Sequence, residues 1–557
     1  MAALFNRLFN IERAELVRAV LMFLYAFLLL SAYLILKPVR NSLFLDRFGA
    51  DQLVYMYMII AASATPIASF YGWTAARTTL PKLVGATTVI IIINLGIFWY
   101  LIEQDYNWLV YVFYVWVSLF GVFTTSQFWL LANYVFDPRE AKRLFPFCAA
   151  GAIVGGITGS FLTSVFAEMV GTVNLLFLCM AFMLICFGIL LTVWRMRRGD
   201  DPAQAKQKRK SRDISGMLSV ITRSRHLALL AAMIGLTVMV STFVDFQFNK
   251  VVKDAFDDKD KLTAFFGAFF MWLSIASLVL QLLFSSRLIR RFGVGMAILV
   301  LPIGLLLGST AIFVAPVLMS AVIVKLSDGS FRYSINKTGL ELLYLPVPTN
   351  IKSRVKAFMD VVGDRFARGI GGALLYLVNN VLAWPVQWIS LLSAGLIAGW
   401  IAVAVMIRRE YSRTFRAALA SRTMDAEQIQ LPLSDKSTVD TLARTLESAN
   451  ESQVLFALEL TAGESLRAFR EPLARLLSHE NSEIRKRALK QLVPIGDGDL
   501  NDTVEPLLHD SDPDVRAEAI RYLCTHTDGN GHSLFRTFVE SGDPVLRASA
   551  CRCAIEY

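Results

Sequence analysis

Charged residues inside apolar stretches are where this sequence could do chemistry, because an ionised side chain in hydrocarbon costs several kcal/mol unless it is paired or faces water. Lys37 and Arg40 stand three residues apart in LILKPVRNSLFLDRFG, so both cations share one helical face, and Pro38 loosens the backbone between them. Snorkelling to a membrane interface is the competing reading of that pair. Asp245 sits in STFVDFQFNK near the end of another apolar run, where a solvated helix end competes with a binding role. The densest segment is AVIVKLSDGSFRYSINKTGLELLYLPVP, in which Lys325, Asp328, Arg332 and Asn336 recur at spacings of three and four and form one polar stripe. Lys337 and Glu341 add an i,i+4 pair beside it. In AFMDVVGDRFARGIGG, Asp360, Asp364 and Arg368 again share a face. Lys37, Arg40, Asp245, Lys325, Arg332, Lys337 and Glu341 are therefore the expected substrate contacts. Asp328, Asp360, Asp364 and Arg368 are the expected charge network or gate, with an internal salt-bridge network between packed helices as the bland alternative. Intramembrane cations of this kind suit an anion held by charge-assisted hydrogen bonds.

The rest of the sequence excludes most other chemistry. It has no Gly-rich phosphate loop followed by Lys-Ser or Lys-Thr, no His-Glu-x-x-His, and no Ser or Cys nucleophile beside a histidine, so no enzyme, catalytic residue or cofactor is expected. Cys148, Cys179 and Cys186 lie in apolar runs and Cys524, Cys551 and Cys553 in the polar C-terminal part, which writes neither a disulfide ladder nor a zinc ladder. Cys524, His526 and His532 are too thin a set to assign a metal. No basic groove interleaved with aromatics supports a nucleic-acid partner.

The elements that must position these charges are membrane helices. The chain has 557 residues, 55% hydrophobic and 18% charged. Apolar stretches of about 20 residues, enough to cross roughly 30 Å of hydrocarbon, are expected near 16–38, 52–72, 82–102, 108–132, 145–168, 171–194, 227–248, 262–284, 293–314, 317–344, 357–382 and 387–407. A basic linker, RMRRGDDPAQAKQKRKSRD, separates the sixth from the seventh. The expected fold class is all-α: a polytopic membrane protein of twelve transmembrane helices, six plus six in the major-facilitator manner, followed by a cytosolic α-solenoid. With the N-terminus inside, 28 basic residues fall on the cytosolic side against five outside. An excess of that sign predicts cytosolic N- and C-termini and a multi-pass protein of the cell inner membrane. Gly151, Gly155 and Gly159 recur every fourth position in the fifth span and predict close helix packing.

Charge changes sign near residue 436: residues 1–435 carry 41 basic and 25 acidic groups, residues 436–557 carry 14 and 20. The acidic part repeats at 31 residues, with Leu442, Leu473, Val504 and Phe535 in one register and Ala457, Ala488, Ala519 and Ala550 in another. Asn450, Asn481, Asp512 and Asp543 fall where a cap must start the second helix of each unit. Paired helices of this period, with Ile484-Arg485 and Val515-Arg516 after the cap, resemble HEAT-type repeats. The last repeat reaches Tyr557 without a polar capping helix, so either a partner, the membrane domain or further chain covers it or it ends as a short frayed helix.

ILKPVRNSLFLDRFGADQL, FWLLANYVFDPREAKRLFPFCAAGAIVGGITG, RYSINKTGLELLYLPVP and KAFMDVVGDRFARGIGG occur in this order. Together they resemble the ATP/ADP translocase (nucleotide transporter) family of plastids and intracellular bacteria, over about residues 15–410. The block Phe128, Trp129, Ala132, Asn133 and Glu140 to Arg143 is the specific part. The resemblance implies a twelve-helix, major-facilitator-like exchanger of nucleotides with a basic central site. It also implies that Arg40 stands where the family's exchangers carry a Lys and Asp245 where they carry a Glu, whereas Val117 and Leu340 replace an acidic residue and a Lys. The reading is then a transporter of an anionic, phosphorylated solute, nucleotide favoured, in a lipid bilayer, with a HEAT-like domain that regulates or docks a protein partner. Its expected parts are 1–194 and 226–410 as six-helix bundles, 195–225 and 411–435 as linkers, and 436–557 as the repeat domain. An anionic amphiphile such as a phospholipid as cargo, or a non-transporting membrane scaffold or sensor, are the competing readings.

Overall fold

The computed structural model describes residues 15–75, 77–104, 106–196, 214–420, 436–448, 450–461, 469–495, 499–526, 538, 539, 543, 544, 546–549 and 551. Outside the described residues lie most of the basic linker, the segment 421–435, Phe535, Ala550, His532, Cys553 and Tyr557. The chain divides into two compact units: Met1–Ser285 with Ile298–Thr338 and Val355–Val405, and Ser286–Ala297 with Gly339–Arg354 and Met406–Tyr557.

The first unit is built from long apolar helices. An N-terminal set comprises α1 (Leu16–Phe48), α2 (Leu53–Ala75), α3 (Leu80–Ile102), α4 (Asn107–Val135), α5 (Pro138–Val170) and α6 (Leu175–Met196). After a short helix α7 (Ile214–Arg223) the C-terminal set follows: α8 (Arg225–Ala255), α9 (Lys259–Val279), α10 (Ser286–Phe292), α11 (Val294–Val314), α12 (Leu318–Phe331), α13 (Lys337–Leu343), α14 (Thr349–Phe358), α15 (Asp364–Leu375) and α16 (Val386–Ala420); of these, α10, the start of α11, most of α13 and α14 and the end of α16 fall in the second unit. Nine helices among the described residues are long and apolar enough to cross a membrane. The three other expected spans, near 52–72, 317–344 and 357–382, coincide with α2 and with helices interrupted by π turns. Ile90, Ile93 and Ile97 on α3 and Leu184 and Ile185 on α6 are exposed, as helices that are apolar all round require when lipid is their solvent.

Helix boundaries follow local chemistry. Gly49 (φ 71°) and Gly171 (φ 86°) adopt left-handed φ values at the ends of α1 and α5 and return their N–H groups to Leu45 and Ala167. At the start of α5, Pro138 takes the first helical position and Glu140 reaches back to the Asp137 N–H at 3.0 Å. Glu140 also accepts from Arg18 at 2.8 Å, and Arg143 donates to Glu15 at 2.9 Å, so two ion pairs join the first turns of α1 and α5.

Gly151, Gly155 and Gly159 lay the backbone of α5 directly on α1. A methyl group added at these positions would overlap the backbone of Phe23, Phe27 and Ser31, and the Ser31 hydroxyl donates to the Gly155 carbonyl at 2.8 Å. Backbone cannot swing aside as a side chain can, so Gly155→Leu is expected to destabilise the protein by at least about 1–3 kcal/mol through overpacking. Gly188→Leu, on exposed α6 with nothing within 4 Å of an added Cβ, is expected to be neutral. Thermal melting of the two purified variants checks the pair. Small residues also bring the two helix sets together: Gly267 on α9 abuts Ser160 and Ser164 of α5, and Gly369 and Gly372 on α15 abut Ala61, Tyr57 and Met58 of α2.

Four π turns interrupt the C-terminal set, at Leu280–Ser285, Arg332–Asn336, Met359–Gly363 and Tyr376–Val381. Each inserts extra backbone and rotates the side chains that follow relative to a continuous α-helix.

In the second unit, α17 (Lys436–Leu446), α18 (Glu451–Thr461), α19 (Arg470–Arg475), α20 (Ser482–Leu492), α21 (Asn501–Val504) and α22 (Pro513–His526) carry the 31-residue repeat. Leu442, Leu473, Val504, Ala457, Ala488 and Ala519, the positions in register, are all buried. Asn450, Asn481 and Asp512 accept the orphan amide protons of Ser452, Glu483 and Asp514 at 3.0, 3.0 and 2.8 Å. Arg485 spans successive repeats. It donates to the His479 and Glu480 carbonyls behind its own cap and to Asp510 of the next repeat at 2.8 Å. Arg516 repeats the motif with Asp543 at 2.9 Å.

Candidate functional site

The Lys37–Arg40 face of α1 is held by neutral groups. Lys37 Nζ lies 3.9 Å from the ring centroid of Phe270 on α9, and the Arg40 guanidinium lies 4.2 Å from that of Tyr114 on α4. Arg40 donates to the Ser118 hydroxyl at 2.7 Å and, from Nε and Nη2, to Asn41 Oδ1 at 3.1 and 2.9 Å. Neither cation has a carboxylate within 4 Å among the described residues.

The polar stripe of α12 is, by contrast, internally neutralised. Asp245 on α8 accepts from Lys325 at 2.6 Å and from the Tyr57 hydroxyl of α2 at 2.8 Å, a contact that crosses between the two helix sets. Lys325 also lies 3.6 Å from Asp328. Asp328, with a side chain only 3% exposed, accepts from Arg332 at 2.5 Å and from the Ser241 hydroxyl at 2.8 Å. Arg332 donates a further bond to the Thr237 carbonyl at 3.3 Å, and its Nε has no hydrogen-bond partner among the described residues. Asp364 and Arg368 on α15 pair at 3.5 Å with side chains 28% and 27% exposed.

Electrostatic neighbourhoods bring these groups to a common space. Lys325, Arg40, Asp245 and Arg368 act electrostatically on Lys37, and Asp364, Asp245, Tyr333 and Tyr57 on Arg368. Of the expected contacts and network residues, Lys37, Arg40, Asp245, Lys325, Asp364 and Arg368 are thus grouped there, with Arg332 joined to them through Asp328. The remaining three are not brought in. Lys337, beyond the π turn that starts at Arg332, is exposed; Asp360 is exposed; Glu341 falls in the second unit. Sequence reasoning missed Tyr57, Tyr114, Ser118, Ser241 and Phe270, which come from other helices and carry no periodic signal.

One end of this unit is closed by a polar clasp between the two helix sets. Lys250 at the end of α8 donates to Asp51 at 2.7 Å and to Asn379 at 3.1 Å, and Asn379 donates to Asp51 at 3.1 Å. Lys253 lies 3.6 Å from Asp46. Thr263 on α9 shares a hydrogen bond with Ser42 of α1 and another, of 2.7 Å, with Thr172, whose hydroxyl also donates to Asp260 at 2.6 Å.

Comparison with known proteins gives the arrangement its relatives. Residues 89–327 match the model of the TLC ATP/ADP transporter family, and residues 470–553 match HEAT repeats. ADP,ATP carrier protein 1 of Chlamydia trachomatis is 27% identical over 362 residues, covering 57% of this chain and 68% of that protein. The chloroplastic ADP,ATP carrier protein 2 of Arabidopsis thaliana is 25% identical over 364 residues, covering 58% and 59%. In fold, the nucleoside transporter NupG superposes with a TM-score of 0.53 at 13% identity, covering 70% of this chain and 99% of its own. The family resemblance read in the sequence and the transporter-like, all-helical membrane fold are both supported. The family is one of transporters rather than enzymes.

Proposed function

We propose that this chain, which carries a TLC ATP/ADP transporter domain and HEAT repeats, moves a phosphorylated anion, nucleotide foremost, across the cell inner membrane by alternating access. The observation that carries this reading is the pair Lys37 and Arg40, two intramembrane cations with aromatic and hydroxyl neighbours and no carboxylate within 4 Å among the described residues. Such groups are costly in a bilayer, and an anionic solute supplies the missing countercharge. Lys325 and Arg332 add positive potential while Asp245 and Asp328 hold them in place, and Asp364 and Arg368 form a looser pair nearby.

In this reading twelve helices span the membrane, with 1–194 and 226–410 as the rocking bundles and 195–225 as a cytosolic linker. Both termini are cytosolic, in keeping with the 28 to five excess of basic residues. The Asp51–Lys250–Asn379 clasp then lies at the outer end, and this conformation is closed to the outside. Residues 436–557, reached through the linker 411–435, form a cytosolic solenoid that regulates the transporter or docks a protein partner.

Uptake of labelled ADP by proteoliposomes containing the full chain tests the proposal. Saturable uptake, competed by unlabelled nucleotide and not by added anionic phospholipid, is the expected result. Lipid movement without nucleotide flux would turn the cargo into an anionic amphiphile, and no flux of either kind would leave a scaffold or sensor.

A further inference from the structure

Among the described residues, the carboxylates of the common space are already paired. Asp245 holds Lys325, Asp328 holds Arg332 and lies near Lys325, and Asp364 holds Arg368. Lys37 and Arg40 remain without one, and both belong to α1 of the N-terminal set. A solute bound only by them would have nothing to pull the C-terminal set toward it. Arg365, which the spacing argument passed over because it lies outside the 360, 364, 368 stripe, supplies the matching cation. It is half-buried, and no hydrogen bond or ion pair within 4 Å engages it among the described residues. The carboxylate on its chain neighbour, Asp364, is taken by Arg368.

Helix geometry aims Arg365 at the N-terminal set. Arg365, Gly369 and Gly372 stand at i, i+4 and i+7 on α15 and so share one face. Gly369 and Gly372 on that face abut Ala61, Tyr57 and Met58 of α2, while Gly371, on the adjacent face, abuts Thr242 of α8. Tyr33, Lys37 and Arg40 stand at the same spacing on α1. Tyr33 lies within electrostatic reach of Arg40, Arg368 and Arg365, and Arg365 within reach of Asp364, Arg368 and, least strongly, Tyr33. Arg368 brings a spare donor as well, since its Nε has no hydrogen-bond partner among the described residues.

We infer that Arg365 is a substrate-binding cation of the C-terminal helix set, and that an anion with two linked phosphates is held between it and Arg40. This rests on the transport reading above and adds a residue and a length requirement to it. A single phosphate reaches one arginine, whereas a diphosphate can reach both and draw the two sets together. Neutralising a surplus of facing cations is then what ligand binding contributes to closure.

Calorimetric titration of the purified full chain with pyrophosphate and with inorganic phosphate tests the inference. R365Q is expected to weaken pyrophosphate tenfold to a hundredfold, the loss of one charge-assisted contact of about 1.5–3 kcal/mol, and to weaken phosphate far less. R365K is expected to recover part of the loss, because a point charge replaces a two-pronged donor. A second measurement needs no variant: modification of arginines by phenylglyoxal, mapped by mass spectrometry with and without ADP, should show protection of Arg40 and Arg365. R365Q binding pyrophosphate as wild type does, or Arg365 modified equally in both samples, overturns the inference while leaving the transport reading in place. Arg365 unreactive in both samples overturns it too, since a cation that closes on a solute must be reachable from water. A wild-type protein that binds neither pyrophosphate nor ADP removes both readings.

Discussion

Arg40→Ala is expected to lower the affinity for ADP tenfold to a hundredfold while leaving the melting temperature close to that of the wild type. Arg40 is held by Ser118, Asn41 and the face of Tyr114, all neutral, so removing it strands no buried carboxylate. Its contribution to folding is then confined to a cation–π contact of about 0.5–2 kcal/mol and hydrogen bonds that water can replace. Its contribution to an anion is a charge-assisted hydrogen bond worth about 1.5–3 kcal/mol. Arg368→Ala is the natural comparison. The Asp364–Arg368 pair is 3.5 Å long and more than a quarter exposed on each side, so breaking it should cost only about 0–1 kcal/mol, and less affinity than Arg40→Ala. An Arg40→Ala protein that binds every phosphorylated ligand as wild type does removes Arg40 from the site, and one that fails to fold makes it structural.

Asp328→Ala is expected to have the largest effect on stability. Its carboxylate is almost fully buried and neutralises Arg332 directly and Lys325 at 3.6 Å, with Ser241 satisfying one of its oxygens. Removing it leaves Arg332 with the Thr237 carbonyl and an Nε that has no partner among the described residues, and an uncompensated buried charge of this kind costs about 3–5 kcal/mol. Asp328→Asn keeps the Ser241 hydrogen bond without the charge and should fall between the two. Ser241→Ala should cost about 0.5–1.5 kcal/mol, one ordinary hydrogen bond. Thermal melting of the three variants in one detergent orders them; an Asp328→Ala protein that melts with wild type would show that Arg332 and Lys325 are solvated without it.

How much of this was legible in sequence depends on whether one helix or several carry the feature. Lys325, Asp328 and Arg332 could be read as one stripe because they lie along a single run of helix with spacings of three and four. The same reading stops at Arg332, where a π turn begins, and Lys337 beyond it is exposed. The glycines of α5 were legible for the same reason, and so was the 31-residue register of the repeats, whose buried positions recur as the period requires. The Asp364–Arg368 spacing foretold a pair but not its exposure, which neighbouring helices decide. Tyr57, Ser241 and Ser118 could not be found in sequence at all. Each reaches its charge from a different helix, and local periodicity carries no information about which helices will meet.

The most direct measurement of the central claim is an electron cryomicroscopy structure of the full chain with saturating ADP. The phosphates are predicted to lie against the Lys37–Arg40 face of α1, with phosphate oxygens within about 3 Å of the Arg40 guanidinium, the ordinary length of a charge-assisted hydrogen bond. Nucleotide density elsewhere in the molecule, with that face still against Phe270 and Tyr114 and no anion on it, would contradict the account.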